Sequence, residues 1–468
     1  MRPKINPQQA LDFHPSNLDI TNAYYQKYEA VSDLLDENPK VLSVVHKDLK
    51  ETLASTVVDD GRGGQYTYTS DTILRMILCQ IIEGASLREI VVRVDDSHVL
   101  RHFIRIYYGP MLDFTTFCRL KNCIQPKTWE KINQSLAQYA VQQGLINGNK
   151  LRMDTTAVET NIHFPRDSAL LWDTYRVMAR LIDRARELDP GVVGNRRLQT
   201  RKAKKLQTKI SRNSSKKGDS QEKLKPSYKR LIELTTSVCQ WADDVRKKLE
   251  SRMDKQKDAV RGIYKSIASD IAYFYKHGLC VIDQAARRTL DGEQVPNNEK
   301  LYSIFETHTE LLRRGKAGKP NEFGHMVEIE QVDSKFITGY SVFDKKPVEH
   351  QLLEPALDRH KRLFGEYPDT VAADKGYYEG MTVLEKLEKK INVVSIAKKG
   401  RRTQEEADRE NDPDFRLGQR FCAGVEGTIS YLKRILGLFR CFTKGWEHYV
   451  STIGASIFTH NLLILART

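Results

Sequence analysis

Between Met326 and Ala397 the apolar residues stop recurring at helical spacing and fall into short runs separated by turns, and this change of rhythm limits the chain to a mixed α/β fold. Met326-Val327-Glu328-Ile329-Glu330-Gln331-Val332 reads as a strand, Asp333-Ser334-Lys335 as a turn, and Phe336 to Phe343 as the returning strand of a hairpin. Leu352, Leu353, Ala356, Leu357 and His360 then mark a helix, and Thr370-Val371-Ala372-Ala373 a short strand that ends at Asp374. A helix carrying Val383, Leu384 and Leu387, a strand over Ile391–Ala397, a loop rich in Glu405, Glu406, Asp408 and Asp412, and two helices at about 421–438 and 446–466 complete the chain.

Upstream of the hairpin, Lys150-Leu151-Arg152-Met153 reads as a strand closed by Asp154. A long helical section follows, with Leu231, Leu234, Val238, Trp241, Val245 and Leu249 on one helix and Ile263, Ile267 and Ile271 on the next, expected as an antiparallel hairpin. In symbols, the second half is β, helical insert, β-β, α, β, α, β, α, the order of an RNase H-like domain. The predicted layout is an N-terminal arm and linker at 1–64, an all-helical DNA-binding domain at 65–147, and an RNase H-like domain at 148–468 with a basic helical insertion at about 170–318.

The linker ends in Asp60-Gly61-Arg62-Gly63-Gly64, whose glycines lack the Gly-Lys-Ser/Thr of a phosphate-binding loop. Next, Ile73, Met76, Ile77 and Ile81 fall at helical spacing, Gly84 stops that helix, and Ser86 with Glu89 makes a capping box for a second. Two short helices about a tight turn are expected to be helix-turn-helix-like. A third, Thr115–Asn122, brings Arg119 toward a groove, and a fourth begins at Pro126 and presents Trp129, Ile132, Leu136 and Tyr139.

The net charge of +14 is concentrated: residues 196–230 hold fourteen Lys or Arg against Asp219 and Glu222 alone, or +12. With few large apolar residues this stretch repels itself unless phosphates are near, so Lys202, Lys204, Lys205 and Lys209 are expected to contact nucleic acid. Seven cysteines form no C-x-x-C pair, so neither a zinc ribbon nor a disulfide framework is signalled. Val450–Ala466 is too short and, with His460 and Asn461 inside it, too polar to span a bilayer, and Met1-Arg2-Pro3-Lys4 opens no apolar signal segment. A cytoplasmic, nucleoid-associated protein without a membrane partner is the expectation.

Asp154 and Asp374 close predicted strands, and Glu426 sits in the penultimate helix, 220 and then 52 residues further on. Singly, strand-terminal Asp residues are commoner as turn formers or caps. In an RNase H-like sheet the first and fourth strands lie side by side, which would bring both Asp residues to one edge facing the helical Glu. Three carboxylates held together repel unless divalent cations neutralise them, and hard oxygen ligands suit Mg²⁺ or Mn²⁺. Two such ions support in-line phosphoryl transfer. Lys433 lies seven residues after Glu426, two turns along the same helix, and is expected to address a phosphate.

Three segments carry a family resemblance: Asp154-Thr155-Thr156-Ala157-Val158-Glu159-Thr160-Asn161-Ile162-His163, Ala373-Asp374-Lys375-Gly376-Tyr377-Tyr378, and Val425-Glu426-Gly427-Thr428-Ile429-Ser430-Tyr431-Leu432-Lys433-Arg434. With the terminal His460-Asn461-Leu462, and over roughly residues 65–468, the chain resembles bacterial insertion-sequence DDE transposases, particularly the ISNCY group. The resemblance implies Asp154, Asp374 and Glu426 as catalytic ligands of two Mg²⁺ (or Mn²⁺) ions, and Lys433, Arg434, Arg420 and Lys375 as DNA contacts. It also implies a homo-oligomer, at least a dimer, acting on transposon ends and target DNA. Where related enzymes place a Tyr and an Arg before the Glu, this chain has Gln419 and Cys422. A domesticated or inactive transposase that only binds DNA, and an RNase H-like nuclease without strand transfer, are the alternatives.

Overall fold

The computed structural model describes residues 4, 18–56, 68–214, 220–254, 257–313 and 320–467. The glycine linker at 60–64 and Lys216 and Lys217 of the basic run lie outside them. Seven helices come first: α1 (Asp19–Glu37), α2 (Pro39–Thr56), α3 (Ser70–Ile82), α4 (Leu87–Asp96), α5 (His98–Phe103), α6 (Phe114–Lys121) and α7 (Pro126–Gln142). After β1 (Lys150–Thr160) come α8 (Asp167–Leu188), the single turn α9 (Pro190–Val193), α10 (Thr200–Asn213), α11 (Ser220–Met253) and α12 (Asp258–Thr289). The remainder is β2 (Glu310–Arg313), β3 (Asn321–Val332), β4 (Ile337–Val342), α13 (Leu353–Phe364), β5 (Thr370–Ala373), α14 (Met381–Glu388), β6 (Val393–Ile396), α15 (Gln404–Asn411), α16 (Pro413–Arg434), β7 (Arg440–Cys441) and α17 (Trp446–Leu465). The chain is therefore mixed α/β, as its patterning predicts.

Two compact units form, one from residues 1–160 and 324–468, the other from 161–323. In the first, β1 is the central strand. It pairs antiparallel with β3, from Leu151↔Val332 to Glu159↔Gly324, and parallel with β5, from Lys150↔Thr370 to Met153↔Ala373. The strand order is β2-β3-β1-β5-β6, with β4 antiparallel on β3 and β7 beside the end of β1. The expected strand at 150–153 runs on to Thr160, so Asp154 is internal to β1 and does not close it. The cause is local and tertiary: Thr155, Thr156, Val158 and Thr160 favour extended backbone, and β3 offers partners as far as Gly324. A Cβ at Gly324 would collide with the Val158 carbonyl, so glycine is what lets the two strands close there.

The helices at 70–142, expected as a domain of their own, share one apolar core with the sheet and α17. The reason is visible in α3, which is buried from Ser70 through Cys79, as befits a core helix rather than a surface one. Its one cation, Arg75, is fully buried and held by Asp71 at 2.8 Å and Asp36 at 2.9 Å. The predicted capping box of Ser86 and Glu89 is present at the start of α4. Helices α1 and α2 occupy much of the segment expected as arm and linker; Tyr28, Val31, Leu35, Val41, Val45 and Leu49 give them an apolar stripe buried in the same core.

Two corrections concern the C-terminal third. The acidic segment expected as a loop contains α15, whose Thr403–Glu406 capping box uses one of those acids. Another, Asp412, caps α16 through the amides of Asp414 and Phe415, so this helix starts at Pro413 rather than near 421. The second unit is helical: α8, α10, α11 and α12 enclose their own core of Leu171, Met178, Ile182, Leu231, Val245 and Ile271. On α10 only Ala203 and Ile210 are buried, while Lys202, Lys204, Lys205 and Lys209 are exposed. All seven cysteines are free thiols, and no helix among the described residues is long and apolar enough to cross a membrane.

Candidate active site

The last register pair between β1 and β5 is Met153↔Ala373, so Asp154 and Asp374 stand one step further along two neighbouring parallel strands. Strands so paired lie about 4.8 Å apart. Arg152 projects onto α16, where it donates to the Phe421 carbonyl at 2.8 Å, and Asp154, two residues on, leaves the same face of the sheet. Helix α16 carries Glu426 one turn beyond Cys422.

Cys422 reports where the acids are. Its thiol is pushed up to about 12, first by burial and then by the negative charges of Asp154 and Asp374, with a smaller contribution from Glu426 and opposition from Arg152. Three carboxylates separated by 220 and 52 residues thus act on one buried sulfur. Asp154 is half-buried; Asp374 and Glu426 are exposed, and neither of these two has an ion-pair partner among the described residues. One oxygen of each Asp is held by the next backbone amide: Thr155 N donates to Asp154 Oδ1 and Lys375 N to Asp374 Oδ1, both at 2.7 Å. As the side chains stand, no three His, Cys, Asp or Glu groups among the described residues gather closely enough to hold a metal ion. Chemically the donor set, three carboxylates without imidazole, fits a hard divalent cation.

Several residues that sequence reasoning missed brace this site. Arg152 is buried, donates from Nε to Gln331 Oε1 at 2.8 Å, and lies over the Phe421 ring at 4.7 Å. Gln331 passes the tie to Thr428 Oγ1 at 2.8 Å, two residues beyond Glu426. Gly424 leaves room for this guanidinium, since a Cβ there would collide with it. On the opposite face, Glu349 accepts from Thr155 Oγ1 at 2.8 Å and sits against Gly376, so it touches the neighbours of both strand Asp residues. Below it, Arg359 bridges Glu328 at 3.0 Å and Glu330 at 2.6 Å; burial, then repulsion from Glu330, lifts the Glu328 carboxyl to about 8. Charged residues within otherwise apolar strands were the available signal, since such residues are buried only when paired.

The basic residues fall into separate groups. Lys375, beside Asp374, is exposed, as are Arg420 and Arg434 on α16, while Lys433 is half-buried in the last turn of that helix. Arg119 is exposed on α6 of the same unit. Lys202, Lys204, Lys205 and Lys209 belong to the other unit, where Lys204, Lys205, Lys209 and Arg212 line a surface groove of about 400 Å³. Gln419 donates to the Ser395 carbonyl at 2.8 Å and packs α16 on β6.

The terminal motif is structural. Asn461 makes both backbone bonds of Ile337, accepting from its N–H at 2.9 Å and donating to its carbonyl at 2.8 Å, while His460 Nε2 bonds the Lys335 carbonyl at 3.0 Å. Together they pin α17 to the β3–β4 turn. Burial pushes His460 and His360 down to about 4, so both rings are neutral in the folded chain. The unfolded chain takes up protons below about pH 6.5. The stability from keeping these rings neutral is complete above that pH and is lost as pH falls through about 4. Glu328, raised to about 8, gains stability over the same range, so the check is a difference between chains: at pH 5.0 His460→Gln is expected to take up nearly one proton fewer on unfolding than the parent, and in urea unfolding to lose less stability than the parent between pH 7.5 and pH 5.0.

No family model, curated protein or solved structure matches the chain.

Proposed function

We propose that this chain is a DDE transposase of a bacterial insertion sequence, which cuts DNA at the element's ends and joins the freed 3′-hydroxyls to target DNA. The observation that carries this reading is that Asp154 and Asp374, 220 residues apart, each stand one step beyond the register pair Met153↔Ala373 of two adjacent parallel strands, on the sheet face that Arg152 ties to the helix carrying Glu426. The sheet supports it: β1 and β5 are adjacent and parallel, as the two Asp-bearing strands of an RNase H-like core would be, β2 being a short strand additional to the expected order. The helical unit at 161–323 between β1 and β3 is the insertion such a core would carry.

Asp154, Asp374 and Glu426 are the residues that would hold divalent metal, Mg²⁺ or Mn²⁺. When bound, the metal supplies Lewis-acid activation of the attacking water or 3′-hydroxyl and charge stabilisation at the leaving oxygen. The protein's own part is positional. β1 and β5 fix the two Asp residues in register, Arg152 and Gln331 fix α16, and Glu349 ties the turn after Asp374 to Thr155. Lys375, Arg420, Lys433 and Arg434 are the cations for the phosphodiester at this site, with Arg119 a further contact on the same unit. The exposed lysines of α10 supply sequence-independent attraction for DNA.

Purified chain incubated with DNA carrying the element's ends and Mg²⁺ is expected to give nicked ends and then products covalently joined to a target plasmid. Nicks without joined products identify a nuclease instead. Salt-sensitive binding with neither product identifies a DNA-binding protein that has lost the chemistry, the reading favoured by Cys422 standing where related enzymes have Arg.

A further inference from the structure

The second unit contains a cavity of about 930 Å³, within the size range of small-molecule sites and large enough for a nucleotide, that none of the chemistry above uses. One wall is aromatic. Phe164 meets Phe323 edge-on with ring centroids 5.6 Å apart, and Tyr302 packs on Phe323 at 5.4 Å. Phe164 is 64% exposed, so its ring is open to a ligand entering the cavity. Another wall is charged: Arg166, Lys225, Arg288, Lys300 and Arg313 share the cavity with Asp167, which pairs with Arg288 at 3.1 Å, and with Glu222 and Glu293. Five cations against three acids leave the wall net positive, and Lys300 is lowered by burial and by repulsion from Arg288 and Arg313.

Rings that offer a flat face and clustered cations beside them together recognise a base and its phosphate, the combination by which unpaired nucleic-acid strands are held. We propose that this cavity binds an unpaired nucleotide of a DNA strand, its base against Phe164, Tyr302 and Phe323 and its phosphates on Lys300 and Arg313. The inference rests on the DNA reading above but not on catalysis, and it assigns the helical unit a role besides charge attraction.

The test is fluorescence anisotropy of a labelled ten-nucleotide single strand and the matching duplex with the full chain in EDTA, where no cleavage occurs. Loss of strand-transfer activity therefore cannot imitate a negative result. Phe164→Ala and Arg313→Gln both alter exposed side chains. Each is expected to weaken single-strand binding about tenfold and leave duplex binding within about twofold. Lys300→Gln combined with Arg313→Gln should also flatten the single-strand salt slope by about 1.4, at about 0.7 per phosphate. Equal losses for strand and duplex, or no loss for either, would overturn the proposal. So would a deoxynucleoside monophosphate competing as tightly as the strand, which would give the cavity to a free nucleotide. As an independent readout, ultraviolet crosslinking of a strand carrying 5-bromodeoxyuridine should label peptides containing Phe164, Tyr302 or Phe323; adducts confined to α10 would count against it.

Discussion

Asp154→Asn, Asp374→Asn and Glu426→Gln are each expected to lower Mg²⁺-dependent DNA cleavage by at least about 100-fold, since loss of groups merely supporting a metal ligand already costs 10–100-fold. Each change keeps the shape of the side chain and removes one negative charge. Folding should survive, because Asp374 and Glu426 are exposed and the Asp154→Asn amide keeps an oxygen to accept from Thr155 N. DNA binding in EDTA should be unchanged or stronger, as a charge that repels phosphate has gone. The three losses should also fail to add: once one ligand is missing, removing a second costs little more, as for residues that act as a unit. Cleavage rates of the single and double variants, with unfolding curves as controls, check each part. Near-wild-type cleavage by any of the three would remove that residue from the site.

Arg152→Ala is the second large effect. The guanidinium donates to the Phe421 carbonyl and to Gln331 Oε1 and covers the Phe421 ring; without it each acceptor loses one donor, Gln331 Oε1 keeping Thr428 Oγ1 at 3.2 Å, and the ring loses its cover. The expected loss is about 2 kcal/mol of stability, from two hydrogen bonds at about 1 kcal/mol each. Because the same side chain fixes α16 against β1, cleavage should fall on the order of 100-fold, the usual cost of misplacing a reacting group by about 1 Å. Arg152→Lys keeps the charge but cannot donate to both partners, so it should recover little of either loss. Urea unfolding and cleavage measured on the same preparations separate the two effects. A variant as stable as the parent would show that α16 is held by something else.

The parts of this architecture legible beforehand are those written in local periodicity. The hairpin of β3 and β4, the short strands β5 and β6, and the capping box of Ser86 and Glu89 follow from alternation and cap chemistry. The course of β1 past Asp154 was not legible, because Thr155–Thr160 looks like any polar β-branched run until Gly324 and its strand come alongside. Helix α15 was hidden by acidic residues that serve as cap and first turn. The stripe of α1 and α2 was present in Tyr28, Val31, Leu35, Val41, Val45 and Leu49, but only its burial against distant helices gives it weight.

The candidate site divides in the same way. Asp154 and Asp374 could be picked out by their association with short strands, and Glu426 by its helix. Their arrangement about Cys422 depends on strand order and on the packing of α16, which no window of sequence contains. Arg152 and Glu349 escaped notice because a charged residue in a strand or loop says nothing of its partner. Gln331, Phe421 and Thr155 are distant in sequence from the residues they serve.

Loading the chain with Fe²⁺ in place of Mg²⁺ and adding ascorbate and peroxide cuts the backbone close to the bound ion, and mapping those cuts tests the central claim most directly. The account predicts cuts clustered near residues 154, 374 and 426 together, suppressed by excess Mg²⁺ and absent from Asp154→Asn. Cuts at only one of these places, or at acidic segments elsewhere such as 404–412, would contradict it.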